Sequence, residues 1–469
     1  MNSKLNKKEY LAYFSYGFGQ CFSFGLVGSF MLKFYTDTLG ISAVAGGIIF
    51  LIARAWDAFV DPMIAAYIDT RDISKNQKKK GKFRVYMKWA SLGVAIATVV
   101  AFLAPDLPVS MKIAYAAVTY ILWGSIYAFS DIPFWSVSTV MTRSGKTRSN
   151  LLVTANISVG TAQNVIAILF PIFLVQFTTS LHFSNQMAYF VIMLIIMTIA
   201  YGLMQFGYAN IREKIAADER EPVSLKELLH GVRVNKYMFM MLIIFFLHLF
   251  WYLDQNLMIY FFQYNMQNEQ LMSISGIIGL FCNISIFIIP FIIKRFKKRD
   301  FFIVILVIDI VARVLFLIVG YSNVALFFIL WTVLLAFNAF ALPLIIMMLA
   351  ETVEYSEWKT GKRSEAIVFG GQTFSSKFAI AIAGALAGVV LSVIGYVAPD
   401  ANGAAVTQSP ETLNGLFLAL IALPIVASVI RIIILAKYKL TEELWEKMVK
   451  EIDERKVKKA LKKETSHNE

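Results

Sequence analysis

Apolar runs of 18 or more residues recur along nearly the whole chain. Each run is long enough to cross a bilayer hydrocarbon core, which is about 30 Å thick. Apolar residues make up 58% of the 469 residues and charged residues only 16%, a balance that leaves no room for a soluble domain. The sequence therefore predicts an all-α, multi-pass protein of the cell membrane, either an inner or a plasma membrane.

The apolar runs predict twelve transmembrane spans. Their approximate bounds are 10–36, 39–68, 86–104, 110–140, 150–178, 184–208, 237–264, 271–293, 301–320, 323–350, 365–396 and 413–437. The longest polar stretch between spans follows the sixth span and is a natural domain linker. The predicted organisation is a six-helix bundle at 1–208, a cytoplasmic linker at 209–236, a second six-helix bundle at 237–437 and a tail at 438–469 in the cytoplasm or along the lipid surface.

The net charge of +13 carries topological information. Alternate loops are basic: residues 71–84 hold seven Lys or Arg, 143–148 three, 212–236 six and 294–299 five, whereas the intervening loops contain only Lys112. This asymmetry follows the positive-inside rule and, with an even number of spans, predicts that both termini lie in the cytoplasm. The positive charge is therefore assigned to topology, and no nucleic-acid partner is expected.

Two carboxylates lie inside the second predicted span. Asp57 and Asp61 are four residues apart and share one helix face. A mid-membrane carboxylate costs about 2.5–3.5 kcal/mol on insertion scales, and such groups usually face a cavity, a partner or an ion. The alternative is an intrahelical pair between Arg54 and Asp57, with Asp61 near the lipid headgroups, which still leaves one carboxylate unmatched.

The fourth predicted span carries Tyr120, Tyr127, Asp131 and Trp135 within one stripe of the helix. Aromatic rings stack on the apolar C–H face of a pyranose, and a carboxylate accepts two hydroxyl hydrogen bonds, so this combination suits a sugar. Helix packing or an interfacial aromatic belt would explain any one ring by itself. The presence of Asp131 inside the stripe favours sugar binding.

Gln372, Thr373 and Lys377 lie on the eleventh predicted span, where residues 373 and 377 share a face. A lysine within the membrane is a functional candidate by default. We expect Lys377 to face the same cavity as Asp131, where it would pair with an acidic residue or contact sugar hydroxyls.

Several motifs occur in an order and spacing typical of one transporter family. They are Ser15-Tyr16-Gly17-Phe18-Gly19, Phe34-Tyr35-Thr36-Asp37, Ala53-Arg54-Ala55-Trp56-Asp57 with Asp61-Pro62, Gly81-Lys82-Phe83-Arg84, Asp131-Ile132-Pro133-Phe134-Trp135-Ser136, Glu354-Tyr355-Ser356-Glu357-Trp358-Lys359-Thr360-Gly361, Gln372-Thr373 and Lys377. Over nearly the whole chain the sequence resembles the glycoside–pentoside–hexuronide:cation symporter family, the melibiose-permease-like branch of the major facilitator superfamily. The resemblance implies two six-helix bundles around a midplane cavity that opens alternately to each side.

The resemblance also implies residue roles. Asp57 and Asp61 fall on the family's cation-site carboxylates, with Arg54 beside them. The family's sugar-cavity positions fall on Asp131, Trp135, Tyr127, Thr373 and Lys377, and Tyr120, Gln372 and Asn156 complete the candidate substrate-binding set.

The sequence departs from the melibiose-permease pattern in the sugar cavity. Asn156 stands at a sugar-binding arginine, Leu342 at a cavity tryptophan, and Cys21 or Phe24 at a sugar-binding aspartate. Melibiose is therefore not the expected substrate.

The cation site departs as well. Val60 and Ala128 stand where the family has an asparagine and a threonine, so two neutral oxygen ligands for sodium are missing. Sodium needs several oxygens, whereas a proton needs one carboxylate, so H⁺ is favoured as the coupling ion. Na⁺ at Asp57 and Asp61 is the alternative, and no other cofactor is expected.

The expected function is therefore cation-coupled uptake of a glycoside, pentoside or hexuronide, with a small sugar, a cation and the lipid bilayer as partners. A transporter-derived sugar sensor without net transport is the alternative. An enzyme is not favoured, because the sequence has no His-Glu-x-x-His, no Gly-x-Ser-x-Gly and no phosphate-binding glycine loop, and its histidines are scattered at 182, 230, 248 and 467.

Overall fold

The computed structural model describes residues 5–70, 81–142, 144–214, 235–361, 365–399 and 406–465, and within them all regular secondary structure is helical. The helices of the first half are α1 (Lys7–Lys33), α2 (Ala43–Thr70), α3 (Lys82–Ala101), α4 (Val109–Met141), α5 (Gly145–Val175) and α6 (Asn185–Asn210). Those of the second half are α7 (Lys236–His248), α8 (Trp251–Tyr260), α9 (Leu271–Cys282), α10 (Ile289–Ile292), α11 (Lys298–Val319), α12 (Val324–Thr360), α13 (Glu365–Val393), α14 (Pro410–Lys437) and α15 (Glu442–Thr465).

Ten helical segments in the described part of the chain are long and apolar enough to cross a membrane. The first and eighth predicted spans are outside this set. The helix of the first, α1, contains polar and small residues such as Ser15, Gly17 and Gln20, and the eighth is divided into α9, a 3₁₀ turn over Asn283–Ile288 and α10. The count of twelve spans and the cytoplasmic location of both termini stay predictions.

Local sequence signals fix both ends of α1. At its start, Asn6 Oδ1 accepts a hydrogen bond from the Glu9 backbone N–H at 2.8 Å, and Glu9 Oε2 accepts one from the Asn6 N–H at 2.9 Å. This reciprocal capping box satisfies two backbone donors that the helix leaves open. After α1 the chain makes a π-helical turn, Phe34–Leu39, which ends at Gly40 with a φ of 77°. Only glycine adopts this left-handed conformation without steric cost.

The chain forms two compact units. The larger unit comprises Met1–Pro222, Tyr252–Phe281 and Ala381–Leu420, so parts of the second half of the sequence pack with the first half. The smaller unit comprises Val223–Trp251, Cys282–Ile380 and Ile421–Glu469. Residues 215–234 of the predicted linker lie outside the described residues, and the predicted division of the chain at 209–236 stays a prediction.

The tail helix α15 packs within the smaller unit. Its side chains Met448 and Ile452 are buried in the core of this unit, and Trp358 Nε1 on α12 donates a hydrogen bond to Glu451 Oε2 at 2.7 Å. Near the start of α15, a hydrogen bond and ion pair with Lys297 lower the pKa of Glu443. Amphipathic spacing thus gives a helix that docks through its apolar face.

Glycines allow α2 and α13 to approach closely inside the larger unit. A Cβ atom added to Gly47 would lie 2.9 Å from the Ala385 carbonyl oxygen, and one added to Gly388 would overlap the carbonyl oxygen of Ala43. Small residues let helix backbones meet in membranes, where packing rather than water drives association.

This contact predicts the effect of one methyl group. Gly388→Ala should lower the thermal unfolding midpoint of the detergent-solubilised protein, because overpacking costs about 1–3 kcal/mol. Gly202→Ala on α6 is the matched control, since a Cβ there meets no atom within 4 Å. The control should keep the midpoint or raise it, because alanine favours a helix over glycine by about 1 kcal/mol. The midpoints are measured by size-exclusion chromatography after heating. Equal midpoints for the two variants would contradict the close contact.

Candidate functional site

Asp131 is the centre of the candidate sugar site in the larger unit. Its Oδ1 accepts hydrogen bonds from Trp135 Nε1 and from Gln20 Nε2, both at 3.1 Å. Trp135 lies one turn farther along α4, whereas Gln20 comes from α1. Both donors use the same oxygen, so Oδ2 of this half-buried carboxylate keeps its acceptor capacity toward a hydroxyl, as far as the described residues show.

A chain of hydrogen bonds fixes the orientation of the Gln20 amide. Ser130 Oγ donates to Gln20 Oε1 at 2.9 Å, so the NH₂ group must face Asp131. The Tyr16 hydroxyl lies 2.8 Å from Ser130 Oγ and 3.1 Å from the Met87 carbonyl oxygen on α3. Because the one Ser130 proton goes to Gln20, Tyr16 is the donor in its bond to Ser130. Sequence reasoning missed Gln20, although a glutamine inside an apolar run is a signal that could have found it.

Arg54 and Asp57 on α2 form an ion pair. Arg54 Nη1 lies 2.8 Å from Asp57 Oδ2, and Nη2 donates to the Tyr120 hydroxyl on α4 at 3.4 Å. Asp57 is only 5% exposed, and a Cβ on Gly124 would lie 3.0 Å from its Oδ1. The pair considered as the alternative from sequence is thus formed, and it lies against the helix that carries Asp131. Removing one member of such a buried pair costs about 3–5 kcal/mol.

Asp61 lies one turn after Asp57 on α2 and is half-buried. Near Asp61, Val60 and Ala128 stand where the family has neutral oxygen ligands, and both are apolar packing positions. Val60 packs against the core cluster of which Ala128 is part. These two side chains offer no oxygen to a cation.

Tyr127 faces α1 one turn before Asp131. Its ring stacks on Trp123 with centroids 5.4 Å apart and meets Phe24 at 5.7 Å, and its hydroxyl lies 4.0 Å from Cys21 Sγ. The other tyrosine of the predicted stripe, Tyr120, is buried and pairs with Arg54. The structure therefore brings Asp131, Trp135 and Tyr127 together on the α1 side of α4 and places Tyr120 beside the ion pair.

Asn156 on α5 is exposed, and its amide donates to the Leu152 carbonyl oxygen of its own helix at 2.8 Å. Gln372, Thr373 and Lys377 lie on α13 in the smaller unit; Gln372 and Lys377 are half-buried and Thr373 is exposed. Their participation in the sugar site stays a prediction.

A second buried ionic group, not singled out from sequence, lies in the larger unit. The Lys33 ammonium is 3.0 Å from Asp37 Oδ2 and 3.2 Å from Glu269 Oε1, and it also bonds Gln263. Tyr396 donates its hydroxyl to Asp37 Oδ1 at 2.6 Å. The group joins α1 to segments that follow it by more than 200 residues.

A comparison with known families decides the class of protein. The family model described as "MFS/sugar transport protein" matches residues 13–442. The chain belongs to this family. The resemblance inferred from the sequence motifs is thereby confirmed, and the protein is a transporter of the sugar symporter type and a multi-pass membrane protein rather than an enzyme.

Individual relatives support the same assignment. The isoprimeverose transporter of Lactiplantibacillus pentosus is 30% identical over 453 residues, which cover 92% of this chain and 88% of the relative. The uncharacterized symporter YjmB of Bacillus subtilis (strain 168) is 28% identical over 459 residues, 96% of each chain. A bacterial homologue of the human lysosomal transporter Spinster, solved facing inward and unoccupied, has a TM-score of 0.63 at 11% identity and covers 92% of this chain and 97% of its own. That likeness shows the major facilitator fold alone.

The geometry at Asp131 predicts the effect of removing its charge. Asp131→Asn should weaken sugar binding by about one to two decades, because a charge-assisted hydrogen bond contributes about 1.5–3 kcal/mol, and uptake should be abolished. Equilibrium binding to the purified protein measures the effect. Asp106→Asn, at an exposed loop position, is the matched control. Wild-type affinity in Asp131→Asn would remove Asp131 from the site.

Proposed function

We propose that this protein is a cation-coupled symporter that carries a sugar or glycoside into the cell by alternating access. The observation that carries the proposal is the Asp131 carboxylate, held on one oxygen by Gln20 and Trp135 with the Tyr127 ring one turn away. A few placed polar groups beside aromatic faces are what sugar sites need. The isoprimeverose transporter among the relatives supports a glycoside as the substrate.

The proposal includes twelve membrane spans with both termini in the cytoplasm. The basic residues in alternate loops support this topology through the positive-inside rule. We further propose that Lys377, Thr373 and Gln372 contribute to the sugar site from the second half of the chain, because a membrane-embedded lysine is costly unless it has a partner or a function. We keep Asn156 on α5 in the proposed substrate-binding set, because its amide retains one N–H and its carbonyl oxygen beside the bond to Leu152.

Counterflow separates a transporter from a sensor. Proteoliposomes loaded with unlabelled sugar should accumulate the labelled sugar transiently, across a panel of glycosides, pentosides and uronides. A sensor binds sugar without exchange, so binding with no counterflow by any member of the panel would overturn the transport proposal. Asp131→Asn vesicles provide the matched baseline, because their protein inserts but lacks the sugar-accepting charge.

For the coupling ion, we propose a proton carried at the Asp57–Asp61 pair, with Asp61 as the preferred carrier. Asp57 is engaged in the ion pair with Arg54, and removing its charge would leave the half-buried guanidinium without its acidic partner, so Asp61 is the carboxylate left to carry the proton. Val60 and Ala128 supply no oxygens, so sodium would have an incomplete shell at these carboxylates unless water or backbone completes it. Neutralising a carboxylate lowers the cost of moving the site through a dry closed intermediate.

The coupling ion can be identified by gradient experiments. An inward proton gradient without sodium should stimulate sugar uptake into vesicles, and sugar addition should alkalinise a weakly buffered medium. Asp61→Asn should remove both effects, while downhill counterflow continues. Strong stimulation by a sodium gradient at fixed pH, without sugar-induced alkalinisation, would refute proton coupling.

A further inference from the structure

A set of three aromatic rings extends from the Asp131 site toward α8. Phe24 of α1 lies 5.7 Å from Tyr127 of α4 and 6.5 Å from Tyr252 of α8, measured between ring centroids. All three side chains keep part of their surface exposed. By contrast, Trp123, which stacks on Tyr127, is 1% exposed, and its indole N–H donates to Ser23 Oγ at 2.8 Å.

The far end of this set carries polar groups. Gln163 Nε2 on α5 donates to the Tyr252 hydroxyl at 3.4 Å, a long bond that lies near the limit of useful geometry. Both groups are half-buried, and this is the one side-chain hydrogen bond of Gln163 to the residues that the structure describes. An amide and a phenol in this position can exchange a weak mutual bond for bonds to ligand hydroxyls.

The backbone near Tyr252 is interrupted. Helix α7 ends at His248 and α8 begins at Trp251, so Tyr252 lies in the first turn after the break. At this two-residue turn the Phe250 N–H bonds the Leu247 carbonyl three residues back, and such a tightened turn inside a long helix often marks a functional hinge. The turn at residues 249–250 therefore lies next to Tyr252, one of the three partly exposed rings.

We propose that Phe24, Tyr252 and Gln163 form a second subsite, which receives the second sugar ring of a two-ring glycoside whose first ring binds at Asp131 and Trp135. The inference rests on the proposed sugar-transport function and specifies its substrate class. Phe24 and Tyr252 offer faces and edges to the C–H surface of the second ring, and Gln163 with the Tyr252 hydroxyl bonds its hydroxyl groups. A monosaccharide leaves this subsite unfilled.

The experiment compares ligands that share the non-reducing ring. Matched pairs are methyl β-xyloside with xylobiose, methyl β-glucoside with cellobiose, and methyl β-galactoside with lactose, each measured for affinity to the purified wild-type protein. For the pair that binds, the disaccharide should bind about tenfold more tightly than the methyl glycoside. Tyr252→Leu and Gln163→Leu should each reduce this ratio severalfold and leave the methyl glycoside affinity within twofold of wild type.

Tyr115→Leu on α4 is the matched control, because Tyr115 is half-buried and its hydroxyl bonds the Val100 carbonyl oxygen, away from the rings. It should keep the wild-type ratio. Tyr252→Phe, which retains the ring, should lose less of the ratio than Tyr252→Leu, and it replaces that variant if the leucine protein fails to fold.

The possible outcomes separate the two proposals. Equal affinity of wild type for both members of the binding pair, or an equal loss for both members in Tyr252→Leu, overturns the second subsite and leaves sugar transport standing. If a nitrophenyl glycoside binds more tightly than the methyl glycoside but the disaccharide does not, the second subsite binds an apolar aglycone, and the proposal of a second sugar ring is overturned. No binding of any sugar, glycoside or uronide would instead refute the proposed function.

Discussion

Hydrocarbon offers no hydrogen bonds, so every polar side chain at membrane depth must find its partner within the protein. This constraint organises the larger unit. Asp57 is held by Arg54, Asp131 by Gln20 and Trp135, and Lys33 by Asp37 and Glu269. In each case an ionised group is bonded to a partner from the same unit. The spatial arrangement of the helices in the larger unit therefore depends on pairing between polar side chains as well as on apolar packing.

The constraint also orders the candidate sugar site before any ligand binds. The hydroxyls of Tyr16 and Ser130 and the Gln20 amide form one chain, donating in that order, that ends at Asp131. Because each member has a single compatible orientation, the carboxylate presents a fixed oxygen toward the ligand. Such preorganisation saves the ordering entropy that a flexible site would lose on binding.

Much of the fold could be predicted from sequence, because the apolar runs and basic loops are local signals. Contacts one helical turn apart were equally accessible: Asp131 with Trp135 and Arg54 with Asp57 follow from helix periodicity. Contacts between helices were not. Gln20 meets Asp131 across 111 residues, and neither hydropathy nor spacing specifies which helix faces are in contact. The interruption of the seventh span at residues 249–250 also escaped prediction, because the sequence there is as apolar as its surroundings.

The two candidate sites share one structural element, α4. Arg54 links the carboxylate of Asp57 to the Tyr120 hydroxyl, and Gly124 lies directly against Asp57. From Gly124 to Asp131 is seven residues of the same helix, about 10 Å of rise. The backbone of α4 is hydrogen-bonded internally except at Pro133, which has no N–H to donate to the Phe129 carbonyl, so a displacement at Gly124 can reach Asp131 along the helix. Under the proposed coupling, a change of charge at the Asp57–Asp61 pair would alter the hold of Arg54 on Tyr120, and thereby the position of the helix that presents Asp131. Coupling between cation and sugar then requires no direct contact between the two ligands, only that both bias the placement of α4.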